Sequence, residues 1–302
     1  MKIFNIISLF AISMLLFSCG NNQQKENSKN NISVESDDSK QLNITFLLDL
    51  SDRIEPSKYP NTPEHWQRDI AVIDEFVEIF KKEMNKNGNL NMKGKMRVLF
   101  SPAPKDESIN EIAKALDVNT ADMKPAEKKE VYKTIVENYQ NGLKQIYDKT
   151  ISTKNYIGSD IWKFFKNDVK DLAIDSDKNK YRNILVILTD GYVYHENSKI
   201  KEGNRLSYIL PKTSKEMGID GADWKSKMKE IDFGLIAPTK DLENLEVLVL
   251  EVNPSKYSSK YEEDIQKEVL SKWLKEMGVK KFEIYKTDIP QTTKKRIENF
   301  MN

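Results

Sequence analysis

The hydrophobic pattern is dominated by short unbroken apolar runs separated by stretches of helical periodicity. Ile44 to Leu48 is a continuous apolar run of strand length, and Asn183 to Thr189 encloses a second. Runs of this kind suit strands buried on both faces, as in the middle of a parallel sheet. Met96 to Phe100, Val247 to Leu250 within Glu246–Val252, and Lys281 to Tyr285 predict three further strands. Between them, apolar residues recur at three- and four-residue steps. Trp66, Ile70, Ile73, Val77, Phe80 and Met84 define a first helix, widened by Val72, Phe76 and Ile79. Thr62-Pro63 offers it a hydroxyl cap followed by proline at the first helical position, and Asn87-Gly88 closes it.

Ile109, Ile112 and Leu116 predict a short helix, and Tyr132, Ile135, Tyr139, Leu143, Ile146 and Tyr147 a longer one beginning near Pro125. A Gly-Ser turn in Tyr156–Trp162 opens the next, with Ile161, Trp162, Phe165, Val169 and Leu172 on one face. A helix is expected around Trp224 and Met228. Another carries Tyr261, Ile265, Val269, Trp273 and Met277, with Gly278 as its carboxyl-terminal cap, and Pro290 to Met301 forms the last. Strands alternating with helices at this pitch predict an α/β fold, a doubly wound and mostly parallel central sheet flanked by helices.

The loops at the carboxyl ends of the central strands carry the candidate chemistry. The first strand runs straight into Asp49, Ser51, Asp52 and Arg53; the second ends in Asp190-Gly191; Ser159 sits in the turn between them. In open α/β sheets such loops are where ligands bind. Carboxylate and hydroxyl oxygens without thiolate or imidazole suit a hard cation, magnesium or manganese, with waters completing the octahedron. Zinc is a poor match, since the chain has only His65 and His195 and a single cysteine.

With these residues in place, the sequence resembles the von Willebrand factor A domain family over roughly Gln41 to the carboxyl terminus. That family has a metal-ion-dependent adhesion site built from Asp-x-Ser-x-Ser after the first strand, a Thr in a Gly-Thr turn, and an Asp-Gly after the fourth strand. Asp49 and Ser51 match the first motif, Ser159 stands for the Thr, and Asp190-Gly191 matches the last. Arg53 occupies the position of the second Ser, and a guanidinium has no lone pair to offer a metal. The resemblance implies metal ligands Asp49, Ser51, Ser159 and Asp190, with Mg2+ or Mn2+ as the ion and one coordination position left for a carboxylate of a protein partner. It implies binding rather than turnover.

Two arrangements relieve the conflict between Arg53 and an ion. Arg53 turns away to a carboxylate such as Asp52 or Glu55, which is the arrangement preferred here, or it swings in to neutralise Asp49 and Asp190 and leaves a metal-independent interaction surface. The family also has a short antiparallel edge strand, for which no pattern is visible between Lys105 and Thr150. A phosphotransfer hydrolase using Asp49 is the alternative of another class, but haloacid dehalogenase-like enzymes place a second acid where this chain has Ser51. His195-Glu196 is the remaining acid–base candidate, although neighbours on a loop need not converge.

The amino-terminal segment adds an address. Lys2 precedes an apolar stretch, Ile3 to Phe17, of secretory-signal length and too short for an ordinary spanning helix. It ends in Leu16-Phe-Ser-Cys-Gly20, which resembles the lipobox of bacterial lipoproteins and implies lipidation at Cys19. Residues 20–40 are polar, with only Ile32 and Val34 apolar, too little to offset the entropy of ordering. The expected organisation is a signal peptide over 1–19, a tether over 20–40, and one domain over 41–302 with insertions near 105–150 and 192–238. The protein is then lipid-anchored in the cell envelope, on the outer membrane or cell surface. Lys plus Arg number 48 against 47 Asp plus Glu, so no net field draws the chain to nucleic acid.

Overall fold

A computed structural model describes residues 40–177, 179–256 and 258–302. Cys19, the expected signal peptide and the tether as far as residue 39 lie outside the described residues. Strand β1 (Gln41–Leu48) is followed by α1 (His65–Asn91), β2 (Lys95–Phe100), α2 (Glu107–Ala115), β3 (Val118–Asn119) and α3 (Pro125–Thr153). Two short helices, α4 (Ile161–Asn167) and α5 (Val169–Leu172), lead to β4 (Tyr181–Leu188). The insertion after β4 holds β5 (Lys201–Glu202), β6 (Arg205–Leu206), α6 (Thr213–Glu216), α7 (Trp224–Glu230) and β7 (Gly234–Leu235). The chain then returns through β8 (Leu245–Val252), α8 (Glu262–Glu276), β9 (Lys281–Lys286) and α9 (Pro290–Met301).

The main sheet has the order β3-β2-β1-β4-β8-β9, parallel throughout except for β3. It is an α/β architecture with a mostly parallel six-stranded sheet between helices. Side-chain alternation along the two central strands divides the core. Leu42, Ile44, Phe46 and Leu48, with Ile184, Val186 and Leu188, pack under α1, α2, α3 and α9. Leu47, Leu185 and Ile187 pack on the other side against α4, α8 and the insertion. The two layers bury every residue of these strands except Gln41 and Arg182, which is why their sequences carry unbroken apolar runs.

Four features differ from the sequence expectation. A short antiparallel edge strand is present: β3 pairs Val118 with Met96 and Asn119 with Lys95. Two residues are too few to carry a period. Helix α1 starts at His65, not at Thr62-Pro63, and the Gln67 side chain accepts the Glu64 N–H at 3.0 Å to cap it. It is kinked, not ended, at Gly88, and continues to Asn91. Leu172 is exposed, because the helix after Ser159 breaks at Asp168 into α4 and α5 and rotates it out of the core stripe. Among the described residues no helix is long and apolar enough to cross a membrane.

Candidate metal and partner-binding site

Register brings the first two loops together. Strands β1 and β4 pair residue for residue from Gln41/Tyr181 to Leu48/Leu188, so they end at the same level. The chain leaves β1 towards β2 on one side, and β4 lies on the other, which makes this the crevice where the strand order reverses. Asp49 extends the ladder by one bond, its N–H donating to Leu188 O at 3.1 Å. Its carboxylate is buried and fixed at both oxygens: Ser51 N–H donates to Oδ1 and Thr189 Oγ1 to Oδ2, each at 2.8 Å. The Gly191 N–H in turn donates to Thr189 Oγ1 at 3.2 Å. Thr189, which the motif comparison did not single out, therefore ties the two acidic loops to one another.

Asp190 is partly exposed. Its Oδ1 accepts the Tyr192 N–H at 3.0 Å. Burial in the crevice, together with repulsion from Asp49, raises its pKa to about 7, against the smaller opposing effects of the Tyr192 N–H and Arg53. Two carboxylates thus face one crevice, with the guanidinium of Arg53 acting on both.

Ser159 arrives from the third loop. Its backbone forms a two-way bridge with Tyr194, the Ser159 N–H donating at 3.1 Å and its carbonyl accepting at 2.9 Å. Gly158 makes this approach possible: its φ is +79°, and a Cβ there would lie 2.8 Å from Tyr194 O. On the other side Asp160 caps α4 through the Lys163 N–H and exchanges hydrogen bonds with Ser101, so the loop is held at three points. Ser51, Ser159 and Asp190 open on one cavity of about 820 Å³, with Asp49 just behind. All four predicted ligands meet at one end of the sheet.

Arg53 turns to a carboxylate, as in the first of the two expected arrangements, but the partner is neither Asp52 nor Glu55. It is 3% exposed and its Nη2 pairs with Asp69 Oδ2 of α1 at 2.5 Å. The Arg53 side chain also donates to Asp49 O at 3.2 Å and Leu188 O at 3.1 Å. Asp52 and Glu55, the partners anticipated, are already engaged, the first by Lys58 and the second by Ser57 and Tyr156. Arg53 Nε stays 3.8 Å from Asp49 Oδ2, so it leans towards the site without crossing it. Burial works against its charge, but Asp69, Asp49 and Tyr147 outweigh that and raise its pKa. Asp69 is fully buried and receives Tyr147 Oη at 2.8 Å as well. Burial raises Asp69 to about 6 despite Arg53.

The donor set meets the requirement of a hard cation. Asp69 compensates the charge of Arg53, leaving Asp49 and Asp190 as two acids with two hydroxyls and no soft ligand. Among the described residues no group of three or more His, Cys, Asp or Glu side chains is placed to hold an ion, so any ion here depends on the serine hydroxyls and water. His195 and Glu196 do not form an acid–base pair. His195 Nδ1 lies 3.4 Å from Asp160 Oδ2, whereas Glu196 accepts from Tyr194 Oη.

Comparison with known proteins gives little to set beside this geometry. No protein-family model matches the chain, and no curated protein matches it. Among solved structures it is similar to the PilB minor pilin from Streptococcus sanguinis, with a TM-score of 0.39 and 12% identity, covering 87% of this chain. The chain spans 61% of the length of that pilin.

Proposed function

We propose that this chain is a membrane-anchored binding or assembly module of von Willebrand factor A type, which engages a protein partner through a divalent cation. The observation that carries the reading is the convergence of Ser51, Ser159 and Asp190 on one cavity at the switch point of the sheet, with Asp49 hydrogen-bonded to Ser51 and Thr189 at its edge. The strand β3, short and antiparallel at the edge where the resemblance implies one, supports it. Asp49 and Asp190 supply charge, and the Ser51 and Ser159 hydroxyls supply neutral oxygen donors. Asp49 is oriented by Ser51 N–H and Thr189 Oγ1, Asp190 by Tyr192 N–H. Magnesium or manganese, once bound, supplies an electrophilic centre able to accept a carboxylate oxygen from the partner. Arg53 is a permanent cation beside that centre, held off it by Asp69, and it weakens the ion without replacing it.

The anchor belongs to the same reading. Lipid on Cys19 holds the chain at a bilayer of the cell envelope, and the polar segment to Lys40 sets the domain at a distance from it. Affinity capture from membranes tests the proposal: a partner retained with magnesium and released by chelator is expected. Equal retention with and without magnesium favours the metal-independent surface instead.

A further inference from the structure

The cavity that serves the candidate ion has a second polar feature that the ion does not use. His65, the first residue of α1, is 6% exposed and lines the cavity wall. Among the described residues its imidazole makes no hydrogen bond or ion pair. Its ring nitrogens are not sealed in the core and the residue lines the cavity wall, so the neutral imidazole is open to a ligand there. Its neighbour on the wall is Arg53. Arg53 Nε donates to Asp49 O, Nη2 to Asp69 and Leu188 O, and Nη1 to Asp69, which leaves one Nη1 N–H uncommitted.

We propose that His65 and this remaining donor of Arg53 form a second ligand subsite in the same cavity, which takes a carboxylate. The natural ligand then presents two acids, one for the ion and one for this pair, as a partner segment with two acidic side chains does. The inference rests on the functional reading above for the first acid only.

Three observations favour an acid over a neutral group. Burial, then the guanidinium groups of Arg53 and Arg68, push the pKa of His65 down to about 4, so the potential at the ring is positive. Burial, the largest cause, disfavours any charge there, whereas the two guanidinium groups disfavour a cation alone and attract an anion. The cavity, at about 820 Å³, also exceeds what one carboxylate fills and lies within the roughly 300–1,000 Å³ of sites for whole small ligands. Finally, Arg53 stands where the resembled family has a serine, which adds a donor that a single-acid site lacks.

The chain has only two histidines, which makes the test direct. The full chain labelled at histidine is titrated with acetate and with succinate, in magnesium and in its absence, and His195→Gln assigns the two ring signals. The expected result is a saturable shift of the His65 signal with succinate in magnesium, at about tenfold lower concentration than acetate needs. His65→Phe is expected to abolish that tenfold advantage and leave magnesium affinity unchanged, and His65→Gln, which keeps a donor, to retain part of it. Succinate no tighter than acetate, or a native His65 signal that succinate does not move, overturns the subsite. If magnesium itself fails to bind, the ion reading falls, and a succinate-dependent shift of His65 in the metal-free chain still decides for or against the subsite.

Discussion

Replacing Asp190 by Asn separates what that residue costs the fold from what it gives the site. In the native chain its pKa is raised to about 7 by burial and by Asp49, while in the unfolded chain it returns to the ordinary carboxyl value near 4. Between those two pH values the folded state keeps a proton that the unfolded state has lost, so stability falls as pH rises. At about 1.4 kcal/mol per unit, the loss between pH 4 and pH 8 approaches 4 kcal/mol as an upper bound. The amide in Asp190→Asn cannot ionise, and its oxygen still accepts the Tyr192 N–H. In chelator at pH 8, urea unfolding is therefore expected to find Asp190→Asn more stable than native by about 2–4 kcal/mol, with the difference vanishing near pH 4. Magnesium reverses the ranking. An ion at 100 times its dissociation constant stabilises the native chain by about 2.7 kcal/mol, and the variant, short of one charged ligand, gains little. Magnesium affinity of the native chain should also weaken below about pH 7, as Asp190 takes its proton. A variant no more stable than native in chelator at pH 8, or a difference that grows towards pH 4, refutes the reasoning about the facing carboxylates.

Arg53→Ser restores the resembled motif but strands Asp69 in the core, so a loss of about 3–5 kcal/mol is expected by denaturant unfolding. Arg53→Ser with Asp69→Asn should recover most of that loss and bind magnesium more tightly than native by calorimetry. No gain in affinity would show that Arg53 does not oppose the ion. Gly158→Ala must displace the Ser159–Tyr194 bridge, since a Cβ there meets Tyr194 O at 2.8 Å. A loss of more than about 1 kcal/mol by thermal unfolding, with weaker metal binding, is expected. Cys19→Ala should leave the domain folded by circular dichroism and release it from the membrane fraction, and a variant that stays membrane-bound contradicts the anchor.

The centre of the fold was legible because β1 and β4 are buried on both faces, and burial on both faces writes an unbroken apolar run. The four candidate oxygen donors were legible because each sits one to three residues past a strand or in a glycine turn. What tied them together was not. Thr189 reads as the last residue of a strand, and nothing local says that its hydroxyl reaches across to Asp49. The partner of Arg53 was visible in principle: Asp69 falls among Val72, Ile73 and Phe76 on the buried face of α1, and a carboxylate at such a position calls for a buried cation. The two-residue strands β3, β5, β6 and β7 exist only through their pairing partners, so no period announces them.

Calorimetric titration of the native chain with manganese at pH 8 tests the central claim most directly. A single saturable site is predicted, retained in Lys58→Ala, where the substituted residue lines the cavity and pairs with Asp52 but offers no oxygen, and lost in Ser51→Ala with Ser159→Ala although both variants stay folded. No binding heat up to millimolar manganese, or binding that survives removal of both hydroxyls, contradicts it.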